Sequence, residues 1–255
     1  SVAEDQPLDT KAAKELNAEG LLLTKGLPSE EDDAKAFKLF QLAANQGLLD
    51  AQNNLGLMYA HGRGVSQNDN EAAHWFTIAA DAGYPPAMSN LGLMTLAGIG
   101  VKEDKARAID LFQRASDLGD PAALNNLGVM YRDGIVVPQS PETAAKLFES
   151  ATKRGYAVAY INLAKLYMDG IGVEQDRDRA VSLLNDAATL GNPEAQRILD
   201  NEMTAPNNNN EIVSNTKSDN FSENDDNAQK PCRLKGEIIM STVSACRSMA
   251  GEPML

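Results

Sequence analysis

The sequence has no long hydrophobic run and comparatively little positive charge. Its 255 residues contain no stretch of 18 apolar residues, so no transmembrane helix is expected. Lysine and arginine number 23 against 36 acids, which gives a formal net charge of −13. Because binding to phosphates requires a basic surface, this balance argues against a nucleic-acid partner.

Histidine and cysteine are scarce, with two residues of each. His61 and His74 lie on different predicted helices, and neither stands at metal-ligand spacing from Cys232 or Cys246. A metal site is therefore not expected. No nucleophile beside a base, no paired carboxylates and no glycine-rich phosphate loop stand out. The sequence predicts a protein that is not an enzyme and uses no cofactor.

What the sequence does contain is an internal repeat of 36 residues. Its clearest copy runs from Leu48 to Gly83, and three more copies follow without an insertion. A fixed period of roughly 20–50 residues is typical of a solenoid, in which each unit buries its apolar face against its neighbours. The closing glycines keep the step: Gly47, Gly83, Gly119, Gly155 and Gly191.

Each copy carries two apolar patterns at helical spacing, which we name helix A and helix B. In the clearest copy they begin with Ala51 and Ala72. A glycine at the 36-residue step is expected to end helix A: Gly62, Gly98, Gly134 and Gly170. A short polar residue is expected to cap helix B: Asp32, Asn68, Asp104, Ser140 and Asp176. Small residues inside helix A should let helix B approach closely: Gly56, Gly92, Gly128 and Ala164.

The motif A-x3-L-G-x2-Y-x2-G-x-G-V, followed by A-x2-W-F-x2-A-A-x2-G, resembles the SEL-one-like repeat, a longer-looped relative of the tetratricopeptide repeat. The resemblance covers about residues 12–200 and departs from the motif at Thr95 and Val136. It implies an all-α fold, a right-handed α-solenoid of five 36-residue helix-turn-helix repeats plus a capping helix. Eleven helices are expected over this range, with no strand.

Outside the repeats we expect three further regions. Residues 1–9 form a flexible lead before the solenoid of residues 10–203, and the asparagine-rich residues 204–230 form a disordered linker. Residues 231–255 form a small ββα module, with two strands around Lys235-Gly236 and a helix over 242–250. We expect a disulfide between Cys232 and Cys246, since a module this small needs a staple. Two free thiols are the alternative.

The cysteine pair, together with a chain that starts at Ser1, predicts an exported bacterial protein, periplasmic or secreted. In the related superhelices the A helices line a concave groove. The resemblance therefore implies that an envelope protein or peptide segment binds there, at Asn53, Leu57, His61, Ser89, Leu93, Asn125, Val129, Arg132, Ile161 and Lys165.

Two rows on the A helices admit a structural interpretation as well. The row of Leu21, Leu57, Leu93 and Val129 would then pack between repeats. The row of Asn54, Asn90, Asn126 and Asn162 would bond one helix to the next, which is the interpretation we favour.

The first functional hypothesis is a non-enzymatic interaction scaffold or regulator in the bacterial envelope. The alternatives are a β-lactam-binding or β-lactam-hydrolysing protein like the cysteine-rich relatives, and a cytosolic or organellar scaffold.

Overall fold

The computed structural model describes residues 10–25, 29–204, 229–234 and 237–242. Within 10–25 and 29–204 the elements are helices joined by short turns, which confirms the predicted eleven helices. Odd-numbered helices are the A helices of successive repeats, even-numbered helices are the B helices, and α11 follows the fifth repeat. The helices are α1 (Thr10–Thr24), α2 (Glu30–Asn45), α3 (Leu49–His61), α4 (Asp69–Asp81), α5 (Pro85–Ala97), α6 (Lys105–Asp117), α7 (Pro121–Asp133), α8 (Pro141–Thr152), α9 (Ala157–Asp169), α10 (Arg177–Thr189) and α11 (Pro193–Thr204).

The chain divides into two compact units, and the boundary falls in α7 between Ala123 and Leu124. Unit one contains α1–α6, and unit two contains α8–α11. In unit one, a core cluster joins the first three helices around Phe40, Leu55 and Met58. In unit two, Leu184 of α10 and Leu199 of α11 share a core cluster with residues of α9. The handedness of the repeat array stays a prediction.

A phenylalanine of helix B lies directly on a glycine of helix A. A Cβ atom added at Gly92 would sit 2.7 Å from Cε1 of Phe112, which is fully buried. In the fifth repeat Ala164 takes the glycine position, and Leu184 takes the phenylalanine position in the same core cluster. The predicted close approach of the two helices is confirmed, since the phenylalanine ring occupies the space that a side chain at the glycine would need. The same contact recurs for Gly20 with Phe40, Gly56 with Phe76 and Gly128 with Phe148.

The predicted helix boundaries are confirmed, with one correction. Asn68 caps α4 by accepting a bond from the Glu71 N–H at 3.2 Å, and the corresponding residues cap α6, α8 and α10. In the first repeat the prediction of Asp32 as the cap is wrong. Ser29 caps α2 instead, because its hydroxyl accepts from the Asp32 N–H and the helix begins one turn earlier. Glycine ends α3, α5 and α9 in the left-handed conformation.

Val136 adopts φ 66°, and among the described residues it is the only non-glycine residue with positive φ. The matching positions of the other full repeats are Gly64, Gly100 and Gly172, with φ 65–70°. A β-branched residue is strained there because its Cβ crowds the neighbouring carbonyl. The departure from the motif at Val136 therefore carries a cost in stability.

Val136→Gly should stabilise the protein by roughly 1 kcal/mol, because it relieves the left-handed strain. Little apolar burial is lost, since the side chain is 45% exposed. Thermal unfolding followed by circular dichroism measures the effect. Val137→Gly is the matched control, because Val137 lies in the same turn without positive φ and should lose stability instead. Equal effects of the two substitutions would show that Val136 is not strained.

Two strands follow the helices, β1 (Gln229–Leu234) and β2 (Glu237–Thr242), and they form a two-stranded sheet. They occupy the stretch where two strands were predicted. Ser241 and Thr242 belong to β2, so the helix predicted from residue 242 cannot begin there. The rest of that helix, Cys246 and hence the disulfide lie outside the described residues, as do the lead (1–9) and linker residues 205–228.

Candidate partner-binding face

Asparagine side chains connect the A helices of neighbouring repeats. The Asn54 amide donates to Oδ1 of Asn17 at 2.9 Å, and the Asn90 amide donates to Oδ1 of Asn53 at 2.9 Å. In unit two, Nδ2 of Asn162 donates to Oδ1 of Asn125 at 2.8 Å. These bonds confirm the favoured interpretation of Asn54, Asn90 and Asn162 as links between helices. We call this set of residues the asparagine ladder.

The ten residues predicted to bind a partner fall into two groups by burial. Those in the first group are buried: Asn53, Ser89, Asn125, Val129 and Ile161. Those in the second group are half-buried: Leu57, His61, Leu93, Arg132 and Lys165. Binding by any of them stays a prediction. The second group retains accessible surface, so a binding face has to be built around its members.

In unit one, three leucines occupy the same position on successive A helices. Leu21 on α1 is 38% exposed, and Leu57 on α3 and Leu93 on α5 are half-buried. Each lies four residues, or about one helical turn, after a residue of the ladder register: Asn17, Asn53 and Ser89. Because the ladder holds α1 beside α3 and α3 beside α5, the leucines form one row. We call this row the leucine face.

Charged residues lie at both margins of the leucine face. Lys14 and Asp50 stand seven residues before their leucines, and Lys25 and His61 stand four residues after them. Both lysines and Asp50 are exposed. The Tyr84 hydroxyl donates to Oδ1 of Asp50 at 2.5 Å. Burial and then the Asp50 carboxylate raise the pKa of Tyr84 above its ordinary value, so the phenol stays protonated and keeps donating.

The corresponding row changes character in unit two. Val129 is 1% exposed and belongs to the core, which is the packing interpretation considered for this row. Nζ of Lys165 pairs with Glu194 at 3.1 Å. The Arg132 guanidinium makes two bonds to Asp133, at 2.6 and 2.8 Å, and a third to Asn162 at 3.4 Å. The accessible apolar row is thus a property of unit one.

The described residues offer few arrangements suited to metal binding or catalysis. No group of three or more His, Cys, Asp or Glu among them is placed to hold a metal ion. No helix in the described part of the chain is long and apolar enough to cross a bilayer. An open cleft lined by Tyr167 and residues 174–179 is formed mainly by exposed charged residues, with Arg179 over the Tyr167 ring at 4.7 Å. The leucine face therefore remains as the candidate site.

Sequence reasoning missed Lys14 and Lys25 as residues of this face. The signal was present, because Lys25 lies 36 residues before His61, a position already assigned to the groove, and Lys14 lies 36 residues before Asp50 on the same helix face. It was overlooked since the first repeat departs from the loop motif, with Pro28 at the position of the second loop glycine.

The Sel1 repeat model matches five consecutive segments of the chain: residues 20–48, 49–84, 85–120, 121–156 and 157–192. The chain belongs to the Sel1 repeat family. Four of these segments each contain one A and B helix pair, and the first contains the end of α1 and all of α2. Sel1 repeat folds generally act as non-catalytic scaffolds for protein–protein interaction. The resemblance drawn from the motif is confirmed at the level of the family.

Solved structures show the same similarity. A Sel1 repeat protein from Oxalobacter formigenes is 32% identical, with a TM-score of 0.64, over 76% of this chain and 78% of its own. The protective antigen c5321 of uropathogenic Escherichia coli is 32% identical (TM-score 0.58) over 73% of this chain, which spans only 40% of that protein. Immunity protein Pa5087 of Pseudomonas aeruginosa is 26% identical, with a TM-score of 0.58, over 74% of this chain and 70% of its own. No curated protein matches the chain.

Proposed function

We propose that this Sel1 repeat protein is a non-enzymatic interaction scaffold or regulator of the bacterial envelope that binds a peptide or partner protein at the leucine face. The observation that carries the proposal is the row of accessible leucines on three successive A helices of an acidic chain. An exposed apolar patch that is bordered by polar residues is typical of an interaction site. The asparagine ladder joins these helices to one another through side-chain hydrogen bonds.

The leucine face supports an interaction role over β-lactam binding or hydrolysis. No described cluster suits catalysis, and no observation favours β-lactam binding or hydrolysis. Of the ten residues predicted from the sequence, the proposal retains Leu57, Leu93 and His61 as contacts and adds Leu21.

Affinity capture tests the proposed function. Wild-type protein, the double variant Leu57→Ser/Leu93→Ser and the control Leu118→Ser would be incubated with a bacterial envelope fraction and analysed by mass spectrometry. Leu118 is 60% exposed on unit one and lies outside the leucine face. A protein retained by the wild type and the control, but lost from the double variant, is the expected result. Retention by all three would remove the leucine face from the proposal.

The envelope location rests on the cysteine pair, and thiol counting tests it. Protein isolated from its native compartment should show no free thiol under denaturing, non-reducing conditions, because a disulfide between Cys232 and Cys246 persists only in an oxidising compartment. The same protein after reduction is the control and should show two thiols. Two free thiols before reduction would contradict both the disulfide and the export.

A further inference from the structure

We infer that the leucine face takes an amphipathic helix of its partner whose apolar stripe is flanked by carboxylates. The inference rests on the proposed function and names the chemistry of the partner segment. It draws on the spacing of the leucines and on the charges at the margins of the face.

The spacing decides between a helix and a β-strand. The asparagine ladder joins α1 to α3 and α3 to α5, and helices in such contact lie roughly 8–10 Å apart, so we expect Leu21, Leu57 and Leu93 to recur at about that interval. Residues seven apart on an α-helix share a face and lie about 10.5 Å apart. Residues on one face of a β-strand recur at about 6.7 Å, or at about twice that distance, and neither fits. A partner helix that crosses the A helices can therefore place one apolar side chain on each leucine.

The charged residues at the margins of the leucine face predict which residues flank the apolar stripe of the partner helix. On α1, α3 and α5, the face includes the leucines, the ladder positions and the margin residues that precede and follow them. Asp50 is the only acid at these positions, and its carboxylate already accepts the Tyr84 hydroxyl. Lys14 lies at one margin and Lys25 at the other, both exposed. Although the chain has a net charge of −13, these positions contain almost no acidic residue. Carboxylates beside the apolar stripe of the partner would meet the lysines at both margins.

The matching positions in unit two show that the pattern is not general to the repeat. Asp133 and Asp169 stand where unit one has Lys25 and His61, and Val129 is buried where unit one has accessible leucines. An acidic amphipathic helix is complementary to unit one, whereas in unit two it would meet the exposed Asp169 and find Arg132 already paired with Asp133. The inference therefore assigns the contact to the first three repeats.

Fluorescence anisotropy with the full chain and three labelled peptides of about 20 residues tests the inference. The first peptide carries leucine at every seventh position with glutamate on both flanks. The second replaces the glutamates by lysines, and the third replaces the leucines by serines. We expect saturable binding of the first peptide alone. Leu21→Ser and Leu57→Ser should each weaken it roughly tenfold, as expected for apolar anchors of an interface.

Charge variants and controls complete the test. Lys14→Glu/Lys25→Glu should weaken binding of the glutamate peptide up to roughly fivefold per charge, and less at high salt. Leu118→Ser should bind as the wild type does. Leu21 is exposed, so Leu21→Ser keeps the test valid even if Leu57→Ser unfolds, which circular dichroism would reveal.

Equal binding of the lysine peptide, absence of saturable binding, or binding indifferent to the leucine variants would each overturn the inference. These failures differ from failure of the proposed function. A partner captured through the leucine face would still support the function if the acidic peptide did not bind.

Discussion

Gly92→Ala should destabilise the protein by roughly 2 kcal/mol, although alanine favours a helix over glycine by about 1 kcal/mol. The new Cβ would lie 2.7 Å from Cε1 of Phe112 and 3.0 Å from two further ring atoms. Phe112 is fully buried and cannot move without displacing its neighbours. The cost of overpacking should therefore exceed the gain in helix propensity. Denaturant unfolding followed by circular dichroism measures the difference.

The fifth repeat supplies the compensating substitution. Because Ala164 occurs there with Leu184, the double variant Gly92→Ala/Phe112→Leu should be more stable than either single variant. The alanine methyl would fill part of the space that the smaller leucine leaves. The single variant Phe112→Leu, with a void above Gly92, is the control. Additive effects would mean that the glycine and the ring are not coupled, contrary to the packing described above.

Asn125→Ala should cost about 1–3 kcal/mol of stability, because it leaves a buried amide donor without its partner. Asn125 accepts a hydrogen bond from Asn162 at 2.8 Å, and both side chains are buried. The substitution leaves Nδ2 of Asn162 without this acceptor in a place that water does not easily reach. Chemical denaturation of the two proteins gives the difference in the free energy of unfolding.

Asn17→Ala is the matched control for the ladder. Asn17 accepts a bond of similar length, 2.9 Å, but its donor Asn54 is only half-buried. Water can replace the missing acceptor there, so the free energy of unfolding should fall by less than about 1 kcal/mol. If Asn125→Ala is no more destabilising than Asn17→Ala, the buried ladder does not contribute to the stability of unit two.

The periodic features of the fold were predictable from the sequence, because each repeat contains the same pattern of apolar, capping and turn residues. The 36-residue step, the glycine turns and the capping residues fixed all eleven helices. The first repeat is the exception, since Ser29-Glu30-Glu31-Asp32 offers two capping residues in one turn. The helix takes the earlier cap because Ser29 is extended and its hydroxyl reaches the Asp32 N–H. Spacing alone does not decide between two such residues.

The candidate site was less predictable than the fold. Leu93 and Val129 occupy equivalent positions in the repeat, yet Leu93 is half-buried and Val129 belongs to the core. The repeat motif gives both residues the same position on helix A and does not encode how far neighbouring side chains cover each of them. The pairing of Arg132 with Asp133, adjacent residues on one helix, also depends on side-chain geometry that the motif leaves open.

Hydroxyl-radical footprinting of the native complex tests the binding face most directly, because leucine side chains are oxidised in proportion to their exposure to solvent. Peptide mass spectrometry would compare the free protein with its complex with the captured partner. We predict reduced oxidation of Leu21, Leu57 and Leu93 on binding, with Leu22 and Leu118 unchanged as internal references, since both are exposed outside the leucine face. Protection of Leu22 or Leu118 while the three leucines of the face stay reactive would contradict the account.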